Sequence, residues 1–263
     1  MNHPAELAIN QYLEDATSGT SSMSEETITQ IGTDVMDAMR RQFGGGKGRD
    51  EFRLRMSNIG KPTCQLWFAK NKPETALPKP TTFVMNMLLG DIVEAAFKGI
   101  IKEAGVPYED EDNFITLELG GETIKGSYDL VMDGALDDVK SASDWSYRNK
   151  FASYDTLAKS DPFGYVGQLA GYTKATGKKV GGWWVVNKAN GNIKYVPADG
   201  LVLDDEIAKL EETVKTVNDN KFERCFEPVP ETFRGKESGN MILNDNCKFC
   251  DFRFSCFDID EQP

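Results

Sequence analysis

Apolar residues recur at helical spacing along several stretches of the chain and alternate with polar ones along others. Ser22-x-x-Glu25 has the form of a capping box, and after it Ile28, Ile31, Val35, Met36 and Met39 share one helical face. The spacing predicts a helix ending near Gly44, with that face in the core or an interface. From about 82 to 104, Val84, Met87, Leu88, Ile92, Ala96, Ile100 and Ala104 form a second stripe, predicted buried. A helix is predicted at 162–176 with Gly177 as its cap, and an amphipathic one at 203–219. Residues 4–14 suit a short helix and the Ser/Thr/Gly-rich 15–24 a linker. Three prolines make 71–80 a loop.

Strand patterns lie between these helices. Residues 114–119 turn through Gly120-Gly121 into a strand spanning 122–132. Asp133-Gly134, between two apolar runs, predicts a tight hairpin with a return strand at 135–141. A further strand at 180–187 returns through 189–192 into 193–196. The tail from 220 to 263 has little periodicity, and the chain has no internal repeat. Gly44-Gly45-Gly46-Lys47-Gly48 lacks the spacing of a phosphate loop and reads as a hinge. The chain therefore divides into an N-terminal helical region and linker, 1–50, and a main domain, 51–263.

Composition narrows the class. With 40% hydrophobic and 27% charged residues over 263 positions, the chain can bury a sizeable core. No apolar run approaches the roughly 20 residues that span a bilayer. The opening Met-Asn-His-Pro-Ala-Glu lacks the regions of a signal peptide, so a reducing cytoplasm is expected. A net charge of −12 argues against a uniformly basic DNA-binding surface. The charge is uneven, however. Residues 40–61 carry Arg40, Arg41, Lys47, Arg49, Arg53, Arg55 and Lys61, and a second basic set runs from Lys140 through Arg148 and Lys150 to Lys174, Lys178, Lys179 and Lys188. Such a track on an acidic body is compatible with DNA binding that weakens with salt; scattered solvated charge is the alternative.

The predicted hairpin carries the clearest chemistry. It delivers Asp129, Asp138 and Lys140 to one place, and Asp138 and Lys140 share a strand face. Two carboxylates beside a lysine suit Mg²⁺ or Mn²⁺ and an anionic phosphate. A solvated acidic face is the competing reading. Asp137 is an alternative to Asp138, but alternation puts it opposite Lys140. Glu94 lies off the buried stripe of its helix, and Gln168 and Tyr172 are four apart on one helix face. The only histidine is His3, so an all-oxygen metal shell is expected.

Of five cysteines, three form Cys247-x2-Cys250-x5-Cys256, while Cys64 lies far upstream and Cys225 fits no pattern. Four thiolates suit either an Fe–S cluster or zinc. Zinc modules more often use two C-x-x-C pairs, and only one is present.

Taken in order, these blocks resemble the PD-(D/E)XK nuclease superfamily in its RecB-like branch. Gly90-Asp91-Ile92-Val93-Glu94 resembles the upstream G-x-x-x-(H/E) motif, and Gly126-Ser127-Tyr128-Asp129 the G-x-x-D strand. Asp138-Val139-Lys140 is similar to the D-x-K triplet and Gln168-Leu-Ala-Gly-Tyr172 to the Q-x-x-x-Y helix. Many RecB-like relatives have histidine where this chain has Glu94. One distant cysteine with a C-terminal C-x2-C-x5-C resembles the iron–sulfur members, CRISPR-associated Cas-four-type exonucleases and AddB-type nuclease domains.

The resemblance implies an α/β fold with a restriction-endonuclease-like core, a central mixed β-sheet flanked by helices. An N-terminal helical segment would precede it, and a C-terminal tail would be stapled by a [4Fe–4S] cluster on Cys64, Cys247, Cys250 and Cys256. It implies a divalent ion held by Asp129, Asp138, Glu94 and the carbonyl of Val139. Lys140 would orient the attacking water or stabilise the charge that builds in the transition state, with Gln168 and Tyr172 bracing the site or touching DNA. The expected activity is metal-dependent DNA hydrolysis, exonucleolytic on single strands or ends, in recombination, repair or phage DNA metabolism. Bacterial or phage-infected cytoplasm is the expected setting, with a partner protein or homo-oligomer and no membrane. The alternatives are a CRISPR-adaptation trimming factor and a non-catalytic DNA-binding or assembly module.

Overall fold

The computed structural model describes residues 3–44, 52–111 and 113–258. The expected domain boundary at residue 50 and most of the glycine hinge, 45–48, lie outside them, as do Lys47 and Arg49.

The chain opens with α1 (Pro4–Ser18), capped by the imidazole of His3 and stopped by Gly19 in the left-handed region. Helix α1 thus runs into the expected linker. Helix α2 (Glu25–Phe43) is capped by Ser24, whose hydroxyl accepts the N–H of Thr27, rather than by Ser22. Short helices α3 (Met56–Ile59) and α4 (Thr63–Asn71) lead to α5 (Phe83–Glu103). Strands β1 (Phe114–Leu119) and β2 (Glu122–Ser127) form a separate antiparallel hairpin.

The strand expected over 122–132 is broken. After Tyr128-Asp129 the chain enters β3 (Leu130–Met132), which pairs with β4 (Ala135–Ala142) through Asp133 and Gly134, both at positive φ. Helices α6 (Asp144–Arg148), α7 (Tyr154–Lys159) and α8 (Tyr165–Thr176) then carry the chain to β5 (Lys179–Asn187), which returns as β6 (Ile193–Pro197). Helix α9 (Leu203–Asn218) follows. The aperiodic tail folds into a hairpin, β7 (Val229–Phe233) and β8 (Lys236–Ile242), and a last turn of helix, α10 (Arg253–Phe257).

The architecture is mixed α/β. Its central sheet has the order β3-β4-β5-β6, with β4 and β5 parallel and both outer pairs antiparallel. A parallel pair needs a crossover, and the helices between β4 and β5 supply it. Trp183 and Val185 of β5 face Leu169 and Ala170 of α8 and Leu210 and Val214 of α9. Trp184 and Val139 face Ile9 of α1 and Phe97 and Ile101 of α5. Both faces are therefore covered by helices, which explains the nearly continuous apolar run of β5.

Two expected apolar stripes sit differently. On α2, Ile28, Met36 and Met39 are exposed, while Thr27 and Ala38 face α5. On α5, Leu88 is buried as expected, but Met87 is exposed, and Ala95, Phe97, Gly99 and Ile101 carry the rest of the burial. Close approach at Gly99, where a Cβ would lie 2.4 Å from Ile31, sets which faces meet.

Candidate active site and cysteine centre

Asp129 sits in the break between β2 and β3. Its Oδ2 accepts the N–H of Val139 at 2.7 Å, just past the end of the short β3–β4 ladder. Asp138 and Lys140 project from β4 toward α8, as the alternation of strand side chains requires. Lys140 Nζ lies 2.5 Å from Asp138 Oδ2 and 3.4 Å from Gln168 Oε1. The contact with Asp138 is an ion pair off hydrogen-bond alignment, so this buried oxygen has no hydrogen-bond partner.

One turn beyond Gln168, the Tyr172 hydroxyl bonds Gln168 and approaches Gly126. A Cβ on Gly126 would come within 2.6 Å of Met56 and 3.0 Å of that hydroxyl, which accounts for the glycine. Glu94 pairs with Lys98 one turn along α5 at 3.0 Å, and Lys98 also lies 3.6 Å from Asp110. The structure thus links Asp129, Val139, Asp138, Lys140, Gln168 and Tyr172, with Glu94 acting on both aspartates through its charge. Asp137 faces away from the site.

The electrostatics follow from burial. Burial, then the charges of Asp138 and Glu94, push Asp129 up to about 8. Burial raises Asp138 as well, against the pull of Lys140. Burial opposes the charged form of Lys140, but Asp138 and Asp129 outweigh it and hold its pKa above the ordinary lysine value. Burial pushes Tyr172 up to about 12. Two buried carboxylates, with the partly exposed Glu94 acting on both through its charge, make a donor set suited to a hard cation. The set is not drawn together, however. Among the described residues, no group of three or more Asp, Glu, Cys or His is arranged to hold a metal ion as it stands.

Sequence reasoning missed Lys98, although a lysine four residues after Glu94 is a recognisable helical pair. It also missed Tyr165, whose ring lies 4.9 Å from Lys140 Nζ, because loop geometry before α8 brings it there. The basic sets are partly neutralised: Arg40 pairs with Asp37, Arg41 with Asp91, Arg148 with Asp144 and Lys178 with Glu109.

The cysteines meet around a second place. Cys64 of α4, Cys247, Cys250 and Cys256 line one small cavity with Gln65 and Arg253. Phe68 and Phe252 stack beside it, 5.5 Å apart. Burial and neighbouring thiols push Cys247 and Cys250 up to about 11 each and raise Cys256 too, while Cys64 is raised first by its thiol contact with Cys225 and then by burial. All are free thiols. Four thiols lining one cavity fit a thiolate-bound metal centre in their chemistry, since a metal takes up the thiolates that burial disfavours, although among the described residues they are not gathered into a ligating group as they stand. Cys225, which had no role in sequence, accepts the N–H of Cys64 on its Sγ at 3.0 Å.

No protein-family model matches this chain, and no curated protein matches it. A solved structure, the crystal structure of SSO0001, is similar over 89% of this chain and 96% of that one, at 12% identity and a TM-score of 0.44. Among the described residues, no helix is long and apolar enough to cross a membrane.

Proposed function

We propose that the protein is a divalent-metal-dependent deoxyribonuclease of the PD-(D/E)XK type, in the RecB-like branch. The observation that carries the reading is the meeting of Asp129, Asp138, Lys140 and Gln168, from three elements, on one face of a mixed sheet. On this reading the four strands β3 to β6 are a restriction-endonuclease-like core.

Asp129, Asp138 and Glu94 would hold Mg²⁺ or Mn²⁺, with the Val139 carbonyl adding a neutral oxygen. A bound ion supplies activation of water and neutralisation of phosphate charge. Lys140, relieved of Asp138, would place its ammonium on the phosphate oxygens as charge builds there. Gln168 holds that ammonium in line, and Tyr172 holds Gln168. The four cavity cysteines would bind an iron–sulfur cluster, with zinc as the alternative, and so tie the tail to α4. The substrate would be single-stranded DNA or DNA ends, in recombination, repair or phage DNA metabolism in a cytoplasm. A partner protein or further copies of the chain remain part of the proposal.

A second reading has one observation in its favour. The acids are not gathered to ligating positions, as in a non-catalytic DNA-binding module that keeps the fold. Isothermal titration of Mn²⁺ into wild type and Asp138→Asn separates the two. The nuclease reading expects binding that the substitution weakens tenfold or more. No binding to folded wild type rejects it.

A further inference from the structure

Around the start of α8 lies a run of rings for which the hydrolytic site has no use, drawn from the segment before α7, the α7–α8 loop, α8 itself and the tail. Phe249 lies 5.8 Å from Phe163, and Phe163 lies 5.6 Å from Tyr165 with planes 21° apart. Tyr165 in turn lies 5.9 Å from Phe151, with planes 24° apart. The ladder runs from solvent to the candidate active site. Phe249 is 66% exposed and Phe163 39%, Phe151 is buried, and Tyr165 touches the Lys140 ammonium.

A second ammonium runs beside it. Lys150 Nζ lies 4.6 Å from the ring centres of both Phe163 and Tyr165. It is buried and has no hydrogen-bond partner; Asp161 is 3.8 Å away and already accepts the N–H groups of Gly164 and Val166. Such a cation, with Asp161 as a long ion-pair partner, holds two rings in line by their faces.

We propose that Phe249 and Phe163 form a base-stacking subsite for single-stranded DNA, with Lys150 as the residue that positions the rings. The proposal rests on the nuclease reading, because the ladder's inner end is the Lys140 site. Exposed rings interleaved with ammonium groups match what a single strand presents, unpaired base faces on a charged backbone. A duplex interior offers no such faces, since its bases are already stacked on one another. Phe249 stands between Cys247 and Cys250, so the cysteine centre is what presents the outermost ring.

The test is fluorescence anisotropy of the full chain in EDTA, where cleavage does not interfere. The probes are an oligothymidylate, an abasic strand of equal length and a duplex of equal length. The expected result is tighter binding of oligothymidylate than of either other probe. Phe249→Ala and Phe163→Ala should each weaken oligothymidylate binding about tenfold and leave abasic binding unchanged, while Phe249→Trp keeps it. Circular dichroism checks that each variant folds. Equal affinity for the abasic strand, or alanine variants that bind like wild type, overturns the proposal, as does the absence of DNA binding. Base-dependent binding without cleavage in Mg²⁺ or Mn²⁺ supports the subsite and removes the nuclease reading instead.

Discussion

Asp137 and Asp138 are neighbours in β4 that face opposite sides of one sheet. Asp138 meets Lys140 beneath α8. Asp137 accepts three donors on the far side, the Gly182 N–H at 2.8 Å, the Trp184 indole at 3.2 Å and the Tyr195 hydroxyl at 2.8 Å. One carboxylate is built into the fold by hydrogen bonds, and its neighbour is paired with the Lys140 ammonium. Asp137→Ala should therefore destabilise the protein by about 2–4 kcal/mol in urea denaturation, because buried donors are left unpaired. Asp138→Asn relieves charge crowding with Asp129 but takes the ion-pair partner from Lys140, and should cost less stability than Asp137→Ala while abolishing cleavage. The reverse pattern would exchange the two roles.

The ionisation of Asp129 gives a pH signature. Its pKa in the folded protein, about 8, stands above the 3.8 of a free aspartate. The folded state therefore holds a proton that the unfolded chain has released. The stability this group contributes is full below about pH 4 and is lost as pH rises through about 8. Asp137, raised to about 7 chiefly by burial, adds a slope of the same sign. The metal-free protein should melt at lower temperature at pH 9 than at pH 6. Asp129→Asn should flatten part of that drop, and Mn²⁺ should reduce it in wild type. Identical profiles for variant and wild type would show that the Asp129 carboxyl is not perturbed.

Gly181 allows the Asp137 arrangement. The β4–β5 register shifts between Leu136 and Asp138, and a Cβ at Gly181 would lie 2.1 Å from Asp137 Oδ1 and 2.4 Å from the Leu136 carbonyl. Gly181→Ala should cost about 1–3 kcal/mol, through displacement of backbone that cannot yield as a flexible side chain does. Denaturation with no change in midpoint would contradict this packing.

The cysteine centre makes a distinct prediction. Anaerobically purified protein should contain iron and acid-labile sulfide, or zinc if the alternative holds. Cys247→Ser and Cys64→Ser should lose the metal and melt lower by on the order of 5 °C. Cys225→Ser should retain it, because that sulfur meets both the N–H and the thiol of Cys64 from outside and does not line the cavity. Metal-free wild type of unchanged melting temperature would remove the centre.

Much of this arrangement was legible in the sequence where local chemistry decides it. Asp133-Gly134 fixed the hairpin, and period-two alternation separated Asp137 from Asp138. Gly177 marked the end of α8. What was not legible depends on distant contacts. The break at Tyr128-Asp129 exists because Asp129 turns to the N–H of Val139, which no local pattern encodes. Met36 and Met39 lie outside because Gly99 of α5 admits Ile31 of α2, residues that meet in space although two helices separate them in sequence. Cys225 joined the other cysteines for the same reason, since only the return of the chain past α4 brings it to Cys64. The ring ladder likewise joins residues from the α7–α8 loop and the tail.

The most direct test is degradation of end-labelled single-stranded DNA with Mg²⁺, Mn²⁺ or EDTA, comparing wild type with Lys140→Ala. The account predicts cleavage by wild type with either metal, none in EDTA, and a loss of about 100-fold or more in the variant. Folded wild type that leaves DNA intact with both metals, or a Lys140→Ala variant that cleaves at the wild-type rate, would contradict it.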